Sequence, residues 1–147
     1  MGRLLGIARK AESRAPMEQL AQTEVHVKTG IEGDCRGTAE KRQVTVLSRE
    51  SWDDACKDLE VDLPWTTRRA NLFVEGVQLI GRIGQQVRIG GVVLEITDET
   101  RPCSRMDEAH DGLRQALVPA WRGGVTCRVV SGGPLTVGDS VTLIGPA

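Results

Sequence analysis

The chain has 147 residues, of which 39% are hydrophobic and 27% charged, a composition typical of a soluble globular protein with a sizeable core. Its formal net charge of −1 argues against a general attraction to nucleic acid or to an anionic membrane surface, so an anionic ligand would need a local basic cluster. Because no apolar run reaches the roughly 18 residues of a membrane helix and no secretory signal is recognisable, we expect one cytoplasmic domain over residues 1–147.

The apolar residues lie in short runs separated by glycines, a pattern typical of β-strands. Strands are expected in the stretch LLGIA, in the segment EQLAQTEVHV, and, mostly with alternating polarity, over residues 43–48, 70–76, 85–89, 92–97, 125–130 and 139–144. No strand–helix–strand rhythm is present, which argues against a doubly wound α/β fold. The pattern predicts a mainly β fold, an antiparallel β-barrel with two or three short helices.

Two helices are expected to interrupt the strands. In SWDDACKDL, Trp52, Ala55, Cys56 and Leu59 share one face of a helix. A second helix is predicted from about residue 105 to 117, with its apolar face on Met106, Ala109, Leu113 and Leu117, and with Ser104 and Asp107 spaced as in a capping box.

The four cysteines differ in their surroundings. Cys56 and Cys127 fall in phase with apolar faces and are expected in the core. Cys103 follows a strand, precedes a helix start and lies between Arg101 and Arg105, which together favour the thiolate form. The sequence leaves two interpretations of Cys103 equally open, a reactive or metal-binding thiol and a packed loop residue. Cys35, in the polar loop GIEGDCRG, is interpreted as an exposed bystander, and a second thiol near the site is the alternative.

A basic segment, TTRRAN at residues 66–71, precedes one of the predicted strands. Its two arginines, two threonines and one asparagine could hold a phosphate group through charge-assisted hydrogen bonds. A solvated basic turn explains the segment equally well.

Five segments, in order, resemble the MOSC domain, the module named for the C-terminal domain of molybdenum cofactor sulfurases. They are GIEGDCRG (30–37), RQVTVLSRESWD (42–53), TRRANLFVEGVQL (67–79), EITDETRPCSRM (95–106) and RGGVTCRVVSGGPLTVGDSV (122–141). The resemblance departs from the family pattern at Cys35-Arg36, where a histidine is usual. It identifies a stand-alone, bacterial-type member.

The resemblance implies a β-barrel of the pyruvate-kinase-like type that binds molybdenum cofactor, a pyranopterin dithiolene ending in a phosphate. Cys103 would be the catalytic residue, either ligating molybdenum or carrying a labile sulfur. The implied cofactor-binding residues are Asp34, Arg68, Arg69, Asn71, Thr100 and Arg101.

The implied function is reduction of N-oxygenated substrates with a partner reductase, or sulfur transfer with a cysteine desulfurase. The chain carries no flavin, haem or iron–sulfur motif of its own. The sequence does not decide whether the protein is an oxidoreductase or a sulfur carrier. The alternative is a non-catalytic β-barrel that binds a small anion or a protein partner. No nucleic-acid or membrane partner is expected.

Overall fold

The computed structural model describes residues 2–146, which form eleven strands, three α-helices and two short 3-10 helices. In chain order the elements are β1 (Gly2–Arg9), β2 (Glu18–Leu20), β3 (Gln22–His26), β4 (Gly30–Ile31), β5 (Val44–Ser48), α1 (Arg49–Asp58), a 3-10 helix (Trp65–Arg68), β6 (Leu72–Glu75), β7 (Gln85–Ile89), β8 (Val92–Glu99), α2 (Ser104–Ala109), α3 (Leu113–Ala116), a 3-10 helix (Pro119–Trp121), β9 (Val125–Ser131), β10 (Gly133–Thr136) and β11 (Ser140–Pro146).

Seven of the strands close into a barrel in the order β1–β6–β5–β9–β8–β7–β11, with β11 returning to β1. Neighbouring strands are antiparallel except β5 and β6, which run parallel. Strand β2 pairs antiparallel with the second half of β1 and adds one strand to the edge of the sheet there. The prediction of a mainly antiparallel β-barrel is confirmed, and the expected strands are found to within about two residues of their predicted ends.

The barrel is filled by the inward residues of its strands. In β8, Val92, Leu94 and Ile96 are fully buried while the residues between them are half-buried, as period-2 alternation requires. A three-stranded sheet, in the order β10–β3–β4, adds Val25 and Leu135 to the same apolar cluster. Each such aliphatic side chain stabilises the fold by about 1.5–3 kcal/mol through burial.

The helices pack against the outside of β5 and β6. All five residues of β5 are buried, because Val44 and Val46 belong to the barrel core while Leu47 joins a second cluster with Trp52 of α1 and Leu113 of α3. Helix α1 begins after Ser48, whose hydroxyl accepts a hydrogen bond from the Ser51 N–H at 3.2 Å.

The predicted single helix over 105–117 is wrong, because the segment forms two short helices. Gly112 adopts φ +86° and His110 is extended, so α2 ends at Ala109 and α3 begins at Leu113. Met106, Leu113 and Leu117 are buried as expected, but Ala109, the last residue of α2, is exposed.

The predicted capping box at Ser104 is also wrong. Cys103 occupies the N-cap position of α2 and makes no side-chain cap, while the Asp107 carboxylate accepts a hydrogen bond from the Arg114 N–H at 3.1 Å. Asp107 therefore ties α2 to α3 instead of closing the start of α2. None of the helices within residues 2–146 is long and apolar enough to cross a bilayer.

Several strand ends meet at one rim of the barrel. Strand β1 ends there, parallel strands β5 and β6 both begin there, and antiparallel β8 ends beside the start of β9. The segments immediately before or after these ends contain Lys10, Arg68, Arg69, Thr100 and Gly123. This rim is where the predicted site residues converge.

Candidate functional site

A small cavity of about 50 Å³ lies at this rim, with room for a few water molecules or one tetrahedral oxyanion. We call it the cationic cavity. It is bounded by Arg36, Thr45, Arg68, Arg69, Ala70, Thr100, Cys103, Arg105, Met106 and Gly123. Four of these ten residues are arginines and none carries a carboxylate.

Arg68 is the most deeply buried of the four arginines, with 8% of its surface exposed. Its Nε donates a hydrogen bond to the Gly123 carbonyl at 3.0 Å, and its Nη2 donates to the Thr100 carbonyl at 3.0 Å. Its Nη1 contacts the Met106 Sδ at 3.6 Å. The guanidinium thus connects the end of β8, the turn before β9 and helix α2. None of these contacts supplies a negative charge to balance the guanidinium.

Arg69 is held in place by its backbone as well as its side chain. It ends the 3-10 helix in the left-handed region, at φ +66°, which a non-glycine residue adopts only when its surroundings favour it. Its guanidinium donates a hydrogen bond to the Ala15 carbonyl. The two consecutive arginines line the same cavity and are held by different anchors.

Lys10 is a functional candidate that the sequence interpretation missed. The residue is 3% exposed, and its Nζ is buried with no hydrogen-bond partner in residues 2–146. Its charge interacts with those of Arg36 and Arg69. A buried, unpartnered ammonium is costly unless a ligand completes it. The only sequence signal was its position directly after a strand that ends at this rim.

Cys103 is exposed and lies where the cationic cavity meets a larger open cleft of about 640 Å³. Thr100 borders the cationic cavity too, and its buried Oγ1 has no hydrogen-bond partner among the described residues. The cysteine loop thus presents a thiol and an unsatisfied hydroxyl to the same space.

Two of the predicted cofactor-binding residues, Arg101 and Asn71, make other contacts. The Arg101 guanidinium pairs with Asp98 at 3.3 Å and borders the larger cleft instead of the cationic cavity. Asn71 is 3% exposed; its Oδ1 accepts from the Thr45 N–H at 3.0 Å and its Nδ2 donates to the Ala8 carbonyl at 3.1 Å. Both ends of the Asn71 amide are therefore used to join β1, β5 and the start of β6.

Asp34 serves the loop that carries Cys35 and Arg36. Its carboxylate accepts hydrogen bonds from the backbone N–H groups of Lys10 at 3.0 Å and Arg36 at 3.2 Å. Gln43, which the sequence interpretation missed, fastens the same loop by donating to the Val27 and Gly37 carbonyls, at 2.8 and 3.1 Å. Asp34 and Gln43 therefore position Arg36 at the cavity.

The remaining cysteines fall as the sequence predicts. Cys56 and Cys127 are buried in the two apolar clusters, and burial, followed by the nearby Glu95 carboxylate, raises the pKa of the Cys127 thiol. Cys35 is exposed, and its sulfur lies close enough to Lys10 and Arg69 to affect their ionisation.

The cationic groups disfavour one another in the absence of an anion. Burial, and then repulsion from Arg36 and Arg69, lowers the pKa of Lys10 from 10.5 to about 8, while Cys35 and Asp34 oppose the shift. Burial lowers the pKa of Arg68 to about 10, with Cys103 opposing and Arg36 reinforcing the shift. The pKa of Arg69 is lowered by burial, then by Arg36 and Arg105. A bound anion would stabilise the charged forms of these groups and so raise their pKa values.

The donor set fits a metal that brings its other ligands with it. Within residues 2–146, no three His, Cys, Asp or Glu side chains cluster to hold a bare metal ion. One accessible thiol suits a thiophilic metal already held by a dithiolene. The unsatisfied Lys10 Nζ and Thr100 Oγ1, with four arginines, suit a phosphate group. These residues therefore fit molybdenum cofactor.

Solved structures of similar fold support the architecture. The YuaD protein of Bacillus subtilis has a TM-score of 0.80 and 20% identity, over 96% of this chain and 94% of that one. YiiM from Geobacillus stearothermophilus has a TM-score of 0.71 and 16% identity, over 97% and 73%. YiiM from Escherichia coli has a TM-score of 0.72 and 15% identity, over 99% and 71%.

The sequence comparison is more specific to the family. No curated protein matches the chain. The MOSC domain profile matches residues 18–142, which include the glycine-aspartate loop, both arginines of the TTRRAN segment and the cysteine loop. The chain belongs to the MOSC domain family.

Proposed function

We propose that this protein binds molybdenum cofactor at the barrel rim, with the terminal phosphate in the cationic cavity and the metal facing Cys103. The observation that carries the proposal is the concentration of positive charge. Arg36, Arg68, Arg69 and Arg105 line one space, and the charge of Lys10 interacts with those of Arg36 and Arg69. None of these five residues has a carboxylate oxygen within 4 Å in the described part of the chain.

Each residue has a separate role in the proposed site. Arg36, Arg69 and Arg105 supply charge and donors to the phosphate, and Lys10 adds its unpartnered ammonium. Arg68 shapes the cavity by fixing the turn at Gly123, and its charge adds to the local field. The cavity volume of about 50 Å³ matches a phosphate group. The pterin would lie in the adjoining open cleft.

Cys103 would hold the metal through its sulfur. When bound, the cofactor supplies a metal centre that exchanges two electrons with a substrate. The chain's own contribution is to bind the phosphate and to present one thiol at the border of the larger cleft. We propose reduction of an N-oxygenated substrate in the cytoplasm, with electrons from a partner reductase.

Sulfur transfer is the second candidate function, and the exposure of Cys103 favours it. A persulfide on a cysteine desulfurase would be attacked at its terminal sulfur by the Cys103 thiolate. The donor cysteine would leave as a thiolate, so no outside oxidant is needed. Cyanide-labile sulfur on the wild-type protein, absent from Cys103→Ser, would identify this route.

The main test is the cofactor content of protein purified from a host that makes molybdenum cofactor. Wild type should carry molybdenum and pterin, measured by elemental mass spectrometry and pterin fluorescence. Arg36→Ala should lower the pterin content by about tenfold or more, since a charge-assisted hydrogen bond contributes about 1.5–3 kcal/mol. Arg88→Ala, an exposed arginine on β7, is the matched control and should retain wild-type content.

Two outcomes would contradict the proposal. One is wild-type protein that contains neither molybdenum nor pterin, which would favour a barrel that binds another anion. The other is equal loss of pterin in Arg36→Ala and Arg88→Ala, which would remove the cationic cavity from the account.

A further inference from the structure

A second cavity of about 420 Å³ lies on the other side of the turn that precedes β9. Gly123 faces the cationic cavity and Gly124 faces this one, so the turn separates the two spaces. The second cavity is bounded by the end of β5, the start of α1, the segment after β6 and Trp121. Its volume is in the range of small organic ligands.

One wall of the second cavity is apolar and flat. Trp121 packs its inner side against the barrel core and borders the cavity. Val77, Leu79 and Ile80 form the facing segment, and Ile80 remains 40% exposed. An aromatic ring entering this space would be covered by apolar side chains and could stack on the indole.

Trp121 lies in an unusual backbone turn. Ala120 and Trp121 adopt φ +52° and +56°, conformations that non-glycine residues rarely take. The Arg122 guanidinium fastens the turn by donating to the Ala116 carbonyl at 3.0 Å and to the Asp58 carboxylate at 2.5 Å. The backbone that carries Trp121 is thus fastened before any ligand arrives, which lowers the entropic cost of binding.

The polar side of the second cavity is negative. Glu50 lies on this side, and its carboxylate accepts a hydrogen bond from the Gly76 N–H at 3.0 Å. Asp54 is exposed and has no basic partner within 4 Å in residues 2–146, whereas Asp53, beside it on α1, pairs with Arg49 at 3.5 Å. The charge of Arg122 is already met by Asp58. A ligand that complements this negative side of the cavity would therefore be a cation.

We propose that the second cavity binds a flat organic cation, an aromatic ring carrying an ammonium or amidinium group. The ring would lie on Trp121 and the charged group would face Asp54 and Glu50. The site uses no residue of the cationic cavity, so this proposal stands or falls separately from cofactor binding.

The test is a titration of cofactor-free protein with benzamidine and with benzoate, two probes of similar shape and opposite charge. Binding is followed by the NMR signal of the Trp121 indole N–H, assigned with Trp121→Leu. Benzamidine should shift this signal and saturate, and benzoate should not. Asp54→Asn should weaken benzamidine binding by about threefold to fivefold, whereas the matched control Asp53→Asn should stay within twofold of wild type.

Three results would overturn the proposal. They are the absence of any saturable shift with benzamidine, equal binding of benzamidine and benzoate, and equal effects of the two aspartate substitutions. Both aspartates are exposed, so their variants are expected to fold, and a wild-type-like spectrum before titration verifies this.

Discussion

Arg68 and Asn71 are three residues apart in the chain and both are buried, yet they serve different ends. Asn71 satisfies both ends of its amide within the barrel, while Arg68 uses its donors on two carbonyls and keeps an uncompensated charge. A sequence pattern treats both as candidate ligands. Only the three-dimensional contacts distinguish an amide that is fully hydrogen-bonded within the fold from a cationic group whose charge a bound anion would balance.

Replacement of Asn71 should therefore affect stability first. Asn71→Ala leaves the Thr45 N–H and the Ala8 carbonyl without partners, so we expect the free energy of unfolding to fall by about 2–3 kcal/mol. Urea denaturation measures this change. A variant of unchanged stability that has lost its pterin would instead support the sequence-based role of Asn71 as a direct ligand.

Replacement of Lys10 should have the opposite effect on folding stability, because the burial of its charge destabilises the folded protein. Its pKa of about 8 in the folded protein lies below the ordinary 10.5, so the cost is fully present below about pH 8. The cost fades between pH 8 and 10.5, where only the unfolded chain stays protonated. Folding stability contributed through this group therefore rises with pH in that window.

Lys10→Met should consequently stabilise the cofactor-free protein at pH 7, by on the order of 3 kcal/mol, and the gain should shrink toward zero near pH 10. Urea denaturation at pH 7 and 9.5 measures the difference. Lys28→Met, at an exposed position, is the control and should show no such pH dependence. A constant or rising gain at high pH would contradict the assignment.

At the scale of elements, the sequence predicts the strands well because inward and outward residues alternate with period 2 along them. The helical segment after Cys103 is predicted poorly, since its apolar spacing suits one helix of 105–117 and the backbone break at Gly112 leaves that spacing nearly unchanged. Gly112 was the one available signal. Its φ of +86° is open to glycine and strained for other residues.

Gly112→Ala should therefore lower the free energy of unfolding by about 1–2 kcal/mol, because the new methyl group enters at a strained φ and 3.0 Å from Leu59 Cδ2. Thermal or urea denaturation tests this. Asp111→Ala, at the exposed neighbouring position, should change stability by less than about 0.5 kcal/mol. Equal effects of the two would mean that the break does not depend on glycine.

For the whole molecule, the site is an assembly of distant segments at one barrel rim. The cysteine loop and the arginine pair stand out in the sequence because each is a compact motif, and their roles at the site stay predictions. Lys10 and Gln43 do not stand out, since each is a single polar residue beside a strand. Their contacts become visible only in the folded barrel. Arg101, which the sequence also offers as a cofactor-binding residue, pairs with Asp98.

Anion binding should be linked to proton uptake by the whole protein. Inorganic phosphate in the cationic cavity would raise the lowered pKa of Lys10, so binding at pH 8.5 should take up a fraction of a proton per chain. Calorimetric titrations in buffers of different ionisation enthalpy measure this fraction. Lys10→Met should bind phosphate more weakly and without the uptake, and proton release by wild type would contradict the account.

The most direct test of the account is X-ray absorption at the molybdenum edge of the loaded protein. If Cys103 holds the metal, wild type should show one more sulfur neighbour of molybdenum than Cys103→Ser loaded with the same cofactor. Equal numbers of sulfur neighbours in the two proteins would contradict the account and leave Cys103 without a role at the metal.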